Sequence, residues 1–435
     1  MNSASRFVRA LLLGAAGALV AGSVSVSASS SSNSIPVIPD SSLKALSSTM
    51  GGAPAENTAF TIPHWAGSSL NPDNGVTYGY NMVGANPFTC SGSACDSTVQ
   101  VDITPIVVNV GGLTFNGNDS LAAAEASPQF ATNDYGSTTA ATSGAANETR
   151  GAGGLLSQND AGNQLQLEDA TMRAQFNQTG SSSYHLRLTY NVLPTVTIDV
   201  PSGAGVLLQS GRGVVFADIT AAWWGSRIQN LMQSSNPLHL PLFWTNNVLL
   251  HVGSNIFNCC IIGFHGAGEV NGHGTGSVNG NANQAVQTFA WASYLQPGIY
   301  ARPNGGTAWA VQDIHPLSHE ISEWADDPFV NNKVEPWLTP TAPQYGCTGV
   351  LETGDPVVGI GFAMGTNTYA QGPNPNGTQS ADGFYHPEDE ALLPWFMRTN
   401  PNTTSEPVQS GTNGRYTLMG DLNRFAGFGT VATGC

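Results

Sequence analysis

The chain has 435 residues, only 10% of them charged, and its 29 acidic side chains outnumber its 13 basic ones. Lysine and arginine form no cluster, so the sequence lacks the positive footprint with which proteins bind nucleic acid or an anionic membrane. We therefore exclude both as partners.

The first 28 residues are typical of a secretory signal peptide. Arg6 and Arg9 precede an apolar run over 10–20, and small residues offer a cleavage site near Ala28. That run is too short to cross a bilayer of about 30 Å, and no later run is long and apolar enough. We expect a secreted protein, extracellular or periplasmic, with no membrane span in the mature chain.

The rest of the chain predicts a linker followed by one large domain. Residues 29–58 are Ser-rich and predict the linker, and residues 59–435 predict the domain. Within it, the alternating, β-rich stretch 99–110 predicts a strand ended by Gly111. Small and polar residues dominate 116–162, which predicts a low-complexity insertion of long loops.

The second half of the chain has more strand patterns than helix patterns. The predicted elements are a short helix over 165–176, two strands over 184–200, strands near 214–216 and over 242–251, a Gly/Asn-rich loop over 263–280 and a strand or strand-helix junction at 287–294. A stronger helix is predicted over 316–326, because Pro316 suits a first helical turn. The fold class is α+β: a mixed β-sheet core with an active-site helix near 316–326, long loops and disulfides.

An even number of cysteines in an exported chain predicts disulfides. The six are Cys90, Cys95, Cys259, Cys260, Cys347 and Cys435. Cys90 and Cys95 can close a small loop. A bond between the adjacent Cys259 and Cys260 would be strained, so both are expected to pair outward with the last two cysteines, in an order left open. No CxxC spacing supports a zinc–thiolate site.

The predicted helix carries the strongest candidate site. His319 and Glu323 lie four residues apart, so they share a helix face and can bind one divalent cation. Glu320 can reach a water molecule that the metal activates. This is the geometry of the HExxH zinc helix, with Glu in place of the second His. A zinc site needs a third protein ligand, for which Glu352 is the candidate; Asp355 is the alternative, or the partner that orients His319.

Three further histidines are candidates for residues that line this site. His265 follows the adjacent cysteines on a predicted loop, and His386 lies in an acidic segment. His315 directly precedes Pro316, so it is expected at the N-cap or facing solvent. The sequence offers no GxSxG elbow, no convincing Ser-His-Asp arrangement and no nucleotide-binding loop.

Several spaced motifs together carry a resemblance to a known family. They are the segment 319–323 followed by Asp327-Pro328, the segment 352–355, and Cys260 with Gly263-Phe264-His265. These motifs resemble those of the plant phosphate-induced/EXORDIUM-like proteins and their bacterial secreted relatives. The resemblance covers roughly Leu165 to the C-terminus. The plant members are extracellular proteins associated with cell expansion and growth signalling.

The helix and the segment 352–355 also resemble those of gluzincin zinc peptidases. That resemblance implies His319, Glu323 and Glu352 as ligands, Glu320 as base and Asp355 as a supporting carboxylate. The departure is Glu323, where those peptidases have His, since an oxygen-richer ligand set also suits harder cations.

Two functional hypotheses follow. The first is a secreted Zn²⁺-dependent hydrolase, a peptidase, in which Glu320 activates water for attack on a peptide or cell-wall-associated substrate. The second is a non-catalytic extracellular protein with a metal-stabilised core that binds cell-wall glycans or partners.

Overall fold

A computed structural model describes thirteen segments of the chain: 35–46, 49–50, 61–134, 164–176, 183–271, 277–278, 281–282, 284–301, 311–338, 347–358, 361–367, 383–399 and 417–418. The predicted signal peptide and most of the predicted insertion lie outside these residues.

The strands are β1 (Leu43–Leu46), β2 (Thr49–Met50), β3 (His64–Leu70), β4 (Thr77–Val83), β5 (Asp96–Val110), β6 (Leu113–Asn116), β7 (Asn133–Asp134), β8 (Gln164–Leu165), β9 (His185–Val192), β10 (Val196–Asp199), β11 (Gly205–Gln209), β12 (Val215–Thr220), β13 (Leu240–Asn246), β14 (Val248–His251), β15 (Cys259–Ile261), β16 (Gly263–Asn271), β17 (Ser277–Val278), β18 (Asn281–Ala282), β19 (Gln284–Tyr294), β20 (Lys333–Trp337) and β21 (Thr348–Val350). The helices are α1 (Leu121–Glu125), α2 (Leu167–Gln175), α3 (Ala221–Met232), α4 (His315–Asp326) and α5 (Leu393–Phe396).

Two mixed sheets form the core, which confirms the predicted α+β class. One sheet has five strands in the order β1-β15-β14-β12-β11. The other has eight: β10-β5-β13-β19-β16-β2 in order, with β6 and β9 also paired to β5. The remaining described strands form four two-stranded ribbons.

Strand β5 organises the larger sheet because it serves two hydrophobic clusters. Val99, Val101 and Ile103 pack in one cluster, whereas Ile106 and Val108 pack in the other. Alternate residues of a strand share a face, so the step of three between positions 103 and 106 switches the buried face. The predicted strand over 99–110 is confirmed, with three more residues at its start.

Helix α4 packs on the larger sheet through an apolar face. Leu317, Ile321 and Trp324, spaced at helical intervals, join the same cluster as β13 and β19. Trp324 also donates a hydrogen bond from Nε1 to Thr288 Oγ1 at 3.0 Å. Every residue of α4 is buried, so its polar side chains must find partners inside the protein. The predicted helix is confirmed, with His315 as its first residue.

Three sequence predictions about regular structure are wrong in part. The predicted linker 29–58 contains β1, which pairs with β15, and β2, which pairs with β16. The predicted loop 263–280 begins with the nine-residue strand β16, which pairs along its length with β19. The predicted insertion 116–162 begins with a 3₁₀ turn and α1.

The disulfides also differ from the prediction. Cys90 and Cys95 are bonded as expected. Cys259 is bonded to Cys260 and not to a distant cysteine; the peptide bond between them is cis, which brings their Cα atoms to 3.0 Å. Cys347 is also in a disulfide, and Cys435 lies outside the described residues. Within the described part of the chain, no helix is long and apolar enough to cross a membrane.

Truncation of one core residue tests the central position of β13. Leu242 is fully buried between β5 and β19, so Leu242→Ala should lower the free energy of unfolding by about 2–5 kcal/mol. Leu238, just before the strand, is 51% exposed. Leu238→Ala should therefore change the free energy of unfolding by less than about 0.5 kcal/mol. Urea unfolding followed by tryptophan fluorescence measures both; equal losses would contradict this packing.

Candidate metal centre

Helix α4 presents its ionisable residues on the side next to its apolar face. His319, Glu320 and Glu323 are each fully buried. A buried charge is costly unless it is paired or bound to a metal. The packing of α4 on the sheet therefore forces these three side chains into one enclosed, polar cluster.

The first group of possible ligands joins α4 to the segment after β21. His319 Nε2 lies 3.0 Å from Glu323 Oε1 and 3.7 Å from Asp355 Oδ1. Two ligand atoms bound to zinc at about 2.1 Å are about 3.4 Å apart at a tetrahedral angle. The three side chains, which we call the His319 group, thus have the spacing that one cation requires.

Backbone groups hold Glu323 in this position. The N–H groups of Gly354 and Asp355 donate to Glu323 Oε1 at 3.2 and 3.3 Å. Among the described residues, Glu323 Oε2, His319 Nε2 and Asp355 Oδ1 have no hydrogen-bond partner. Buried polar atoms are normally satisfied, so these atoms are oriented as a cation would need them.

Glu388 orients the imidazole of His319 from the opposite side. Its Oε2 accepts a hydrogen bond from His319 Nδ1 and lies 3.2 Å from His315 Nε2. The Glu388 backbone N–H donates to Ser318 Oγ at 2.9 Å, which fixes the segment against α4. A carboxylate on Nδ1 fixes the tautomer that leaves Nε2 as a metal ligand.

A second group of possible ligands shares Glu323 with the first. His265, on β16, places Nδ1 3.5 Å from Glu320 Oε2 and 3.4 Å from Glu323 Oε2. His265 is fully buried, and within the described structure neither of its ring nitrogens makes a hydrogen bond. We call these three residues the His265 group.

Two glycines make room for these side chains. A Cβ at Gly354 would overlap the ring of His319, and a Cβ at Gly263 would overlap the carboxylate of Glu320. The sequence therefore requires glycine at the start of β16 and in the segment 352–355, because the acid and the imidazole lie against bare backbone there.

The electrostatics of the helix residues reflect burial and mutual pairing. Burial opposes the charged form of His265, but Glu320 and Glu323 raise its pKa to about 10. Burial raises the pKa of Glu320 to about 7, against the lowering effect of His265 and His319. Burial also disfavours the charged form of Glu323, yet His319 and His265 hold its pKa well below the usual range. Glu323 is thus the ionised carboxylate at the middle of the cluster.

If all of them were ionised, the surrounding carboxyl groups would carry more negative charge than the histidines balance. Burial and repulsion from Glu323 raise the pKa of both Glu352 and Asp355 well above the usual value. Burial and repulsion from Glu388 raise the pKa of Glu390 likewise. A divalent cation would relieve this repulsion, so the donor set fits a metal ion on both geometry and charge.

The structure places some of the predicted site residues in this centre and others outside it. Asp355, the alternative third ligand, belongs to the His319 group, whereas Glu352 belongs to neither group. His265 lies in the centre. His315 is buried against Glu388, so the prediction of a capping or solvent-facing His315 is wrong. His386 lies outside both groups, and its Nδ1 is 2.7 Å from Asp313 Oδ2.

Glu388 is the functional residue that the sequence analysis missed. It lies 69 residues after His319, in an acidic segment considered only for His386. The feature of the sequence that could have indicated it is the run of three acidic residues at 388–390, in a chain with few charges.

Comparison of the chain with protein-family models, curated proteins and solved structures returned no match. The resemblance to the phosphate-induced/EXORDIUM-like proteins therefore stays a prediction from the motifs.

Substitution of Gly354 tests the close approach of His319. Gly354→Ala should displace the imidazole and weaken cation binding roughly 10- to 100-fold, the usual cost of disturbing the groups around a metal ligand. The matched control is Gly79→Ala, where the added Cβ meets only a backbone oxygen at 3.8 Å. Calorimetric titration of metal-free protein with zinc measures both; unchanged affinity in Gly354→Ala would contradict the arrangement.

The raised carboxyl pKa values predict how the stability of metal-free protein depends on pH. Unfolded carboxyls titrate near pH 4, whereas burial raises the pKa of Glu320 to about 7 in the folded chain. The folded state thus binds a proton at Glu320 more tightly than the unfolded state does, and this difference stabilises the folded state. The stabilisation is complete below about pH 4 and is lost as the pH rises to about 7. For Glu320 alone the loss is on the order of 3 kcal/mol.

The other shifts do not oppose this trend. The lowered pKa values of Glu323 and Glu388 stabilise the fold above about pH 5 and are already fully effective there. The raised pKa of His265 adds a further loss of folding stability above about pH 6.5. Urea unfolding of chelator-treated protein should therefore show falling stability from about pH 5 to 7, and zinc should restore it; rising stability in metal-free protein would contradict the charge assignment.

Proposed function

We propose that the protein is a secreted metal-dependent hydrolase, a peptidase, with its catalytic centre on helix α4. The observation that carries the proposal is the convergence of His319 Nε2, Glu323 and Asp355 at cation-binding spacing. Glu320 lies one residue along the helix, in the position of a general base.

Zinc is the proposed cation. Imidazole nitrogen with carboxylate oxygens is a ligand set that zinc accepts, and three protein ligands leave the open position of a catalytic zinc site. When bound, such a cation lowers the pKa of water and polarises a substrate carbonyl. The side chain of Asp355 is 11% exposed, whereas those of His319 and Glu323 are fully buried. We infer that substrate approaches from the Asp355 side.

Glu320 is the proposed proton acceptor. A general base works best when its pKa lies near the operating pH, and burial brings the pKa of Glu320 to about 7. Its carboxylate lies against Gly263 and faces His265, so its position is fixed before substrate arrives. Glu320 would accept a proton from water and return it to the leaving amine.

His265 has a supporting role in this proposal. The neighbouring carboxylates raise its pKa to about 10, so it carries positive charge at neutral pH in metal-free protein. It neutralises part of the charge of Glu320 and Glu323, and its ring can donate to negative charge that develops on a substrate oxygen.

The compartment and substrate class rest on the sequence. The leader pattern and the disulfides fit an oxidising environment. The resemblance of the motifs to gluzincin peptidases suggests a peptide substrate, which includes the peptide portions of cell walls.

One observation favours the second candidate, a non-catalytic protein with a metal-stabilised core. Glu320, Glu323 and Glu388 are all fully buried, and enclosure of that kind is also typical of structural metal sites. In that case the cation would stabilise the fold, and the protein would act by binding cell-wall glycans or partners.

Two variants separate the candidates. Glu320→Gln should keep stoichiometric zinc and the fold but lower cleavage of a casein or peptide-library substrate by about 10²- to 10⁴-fold, the contribution of a general base. His319→Ala should lose the metal. The control is Glu125→Gln, at a half-buried position on α1, which should resemble the unmodified protein.

Metal analysis and peptidase assays on the same preparations decide the matter. Zinc that disappears in His319→Ala, together with activity that disappears in Glu320→Gln, supports the hydrolase. Zinc without any cleavage by the unmodified protein supports the non-catalytic candidate, and absence of stoichiometric zinc would refute both.

A further inference from the structure

A second polar arrangement lies in the five-stranded sheet, outside the metal centre. Strands β12 and β14 run parallel, with Thr220 and His251 as register partners at their carboxyl ends. Asp218 lies two residues before Thr220, and residues two apart on a strand share a face. The carboxyl ends of parallel strands are where open α/β sheets bind ligands.

The three side chains lie in a row, with His251 between the other two. Thr220 Oγ1 lies within hydrogen-bonding distance of His251 Nε2, at 3.3 Å. On the other side of the ring, His251 Nδ1 lies 2.9 Å from Asp218 Oδ2, which is ion-pair distance, although the angles do not make this contact a hydrogen bond. A hydroxyl, an imidazole and a carboxylate in this order have the geometry of an activated nucleophile with its base and orienting acid.

Asp218 and His251 are buried, whereas Thr220 is partly exposed to solvent. Asp218 is fully buried and His251 is 4% exposed, whereas Thr220 is half-buried. Burial raises the pKa of Asp218 to about 6, against the lowering effect of His251, so the carboxylate is ionised at neutral pH. Strand β15 pairs with the other side of β14, which encloses His251 between two strands.

The hydroxyl of Thr220 does not form the hydrogen bond that is typical of an N-cap residue. Thr220 is the N-cap residue of α3, yet its side chain makes no capping hydrogen bond. Threonine at this position normally accepts from the backbone of the first turn. The first backbone N–H groups of a helix have no partner within the helix, so a developing oxyanion beside Thr220 would meet amide donors.

We propose that Asp218, His251 and Thr220 form a second reactive site, at which Thr220 accepts the acyl group of a small uncharged ester. The segments 221–226 and 252–258, which flank it, contain no charged side chain. The site would therefore select a neutral acyl group.

The acyl transfer balances without a further reactant. Thr220 Oγ1 attacks the ester carbonyl, forms the new C–O bond and gives its proton to His251 Nε2. The bond to the leaving alcohol breaks, and His251 returns the proton to that alcohol. Water then attacks the acyl-threonine through the same imidazole, which releases the acid and restores Thr220.

The probe is p-nitrophenyl acetate, added to purified protein with its disulfides intact. We expect release of p-nitrophenolate and a mass increase of one acetyl group, mapped by peptide analysis to Thr220. His251→Gln should slow acetylation about 10²-fold or more, the contribution of a general base. Thr220→Val, which keeps the shape of the side chain, should abolish it, and Thr220→Ser should retain it.

The controls separate this site from the metal centre and from ordinary surface chemistry. Ser226→Ala removes an exposed hydroxyl on the same helix and should change nothing. Glu320→Gln should leave acetylation intact, so failure of the proposed peptidase activity and failure of this site are distinguishable. Acetylation confined to amines such as Lys44 or Lys333, equal rates in His251→Gln, or no acetylation at all would overturn the proposal.

Discussion

The contact between Glu388 and His319 is the interaction on which the centre depends. It holds one ring nitrogen of His319 and directs the other toward Glu323 and Asp355. The carboxylate of Glu388 also pairs with His315 in the first turn of α4. One acidic side chain thus joins a distant segment to the helix and sets the direction in which the imidazole can bind. The rest of the centre is arranged around that direction.

The sequence could predict what is local. The alternation of apolar and polar residues predicted β5, and Pro316 together with the helical spacing of residues predicted α4. The four-residue interval placed His319 and Glu323 on one face of that helix. It could not predict contacts between remote segments. Glu388, His265 and Asp355 reach the centre from separate parts of the chain: the larger sheet brings His265, and the segments after β21 and before α5 bring Asp355 and Glu388. The choice of Asp355 over Glu352 likewise depends on how the segment after β21 turns back toward the helix.

Strand β16 shows why composition can mislead. Its sequence is rich in glycine, which usually indicates a loop. Here the small residues are imposed by neighbours: Gly263 lies against Glu320, and a Cβ at Gly268 would approach the Met232 side chain to 2.9 Å. A strand that must admit a carboxylate and a helix side chain close to its backbone loses the β-branched residues by which strands are recognised. The Asp218–His251 pair was missed for a different reason: its members are separated in sequence and become neighbours only through the pairing of β12 with β14.

The two strands found inside the predicted linker restrict how the amino-terminal region can be trimmed. Strand β1 forms one edge of the five-stranded sheet and β2 forms one edge of the eight-stranded sheet, with only two residues between them. A protease that cut beyond residue 50 would uncover unpaired backbone on both sheets at once, and exposed edges promote association between chains. The predicted cleavage near Ala28 would leave both strands in place. The segment thus covers one edge of each sheet, and a shortened recombinant chain needs to begin before residue 35 to keep both strands in place.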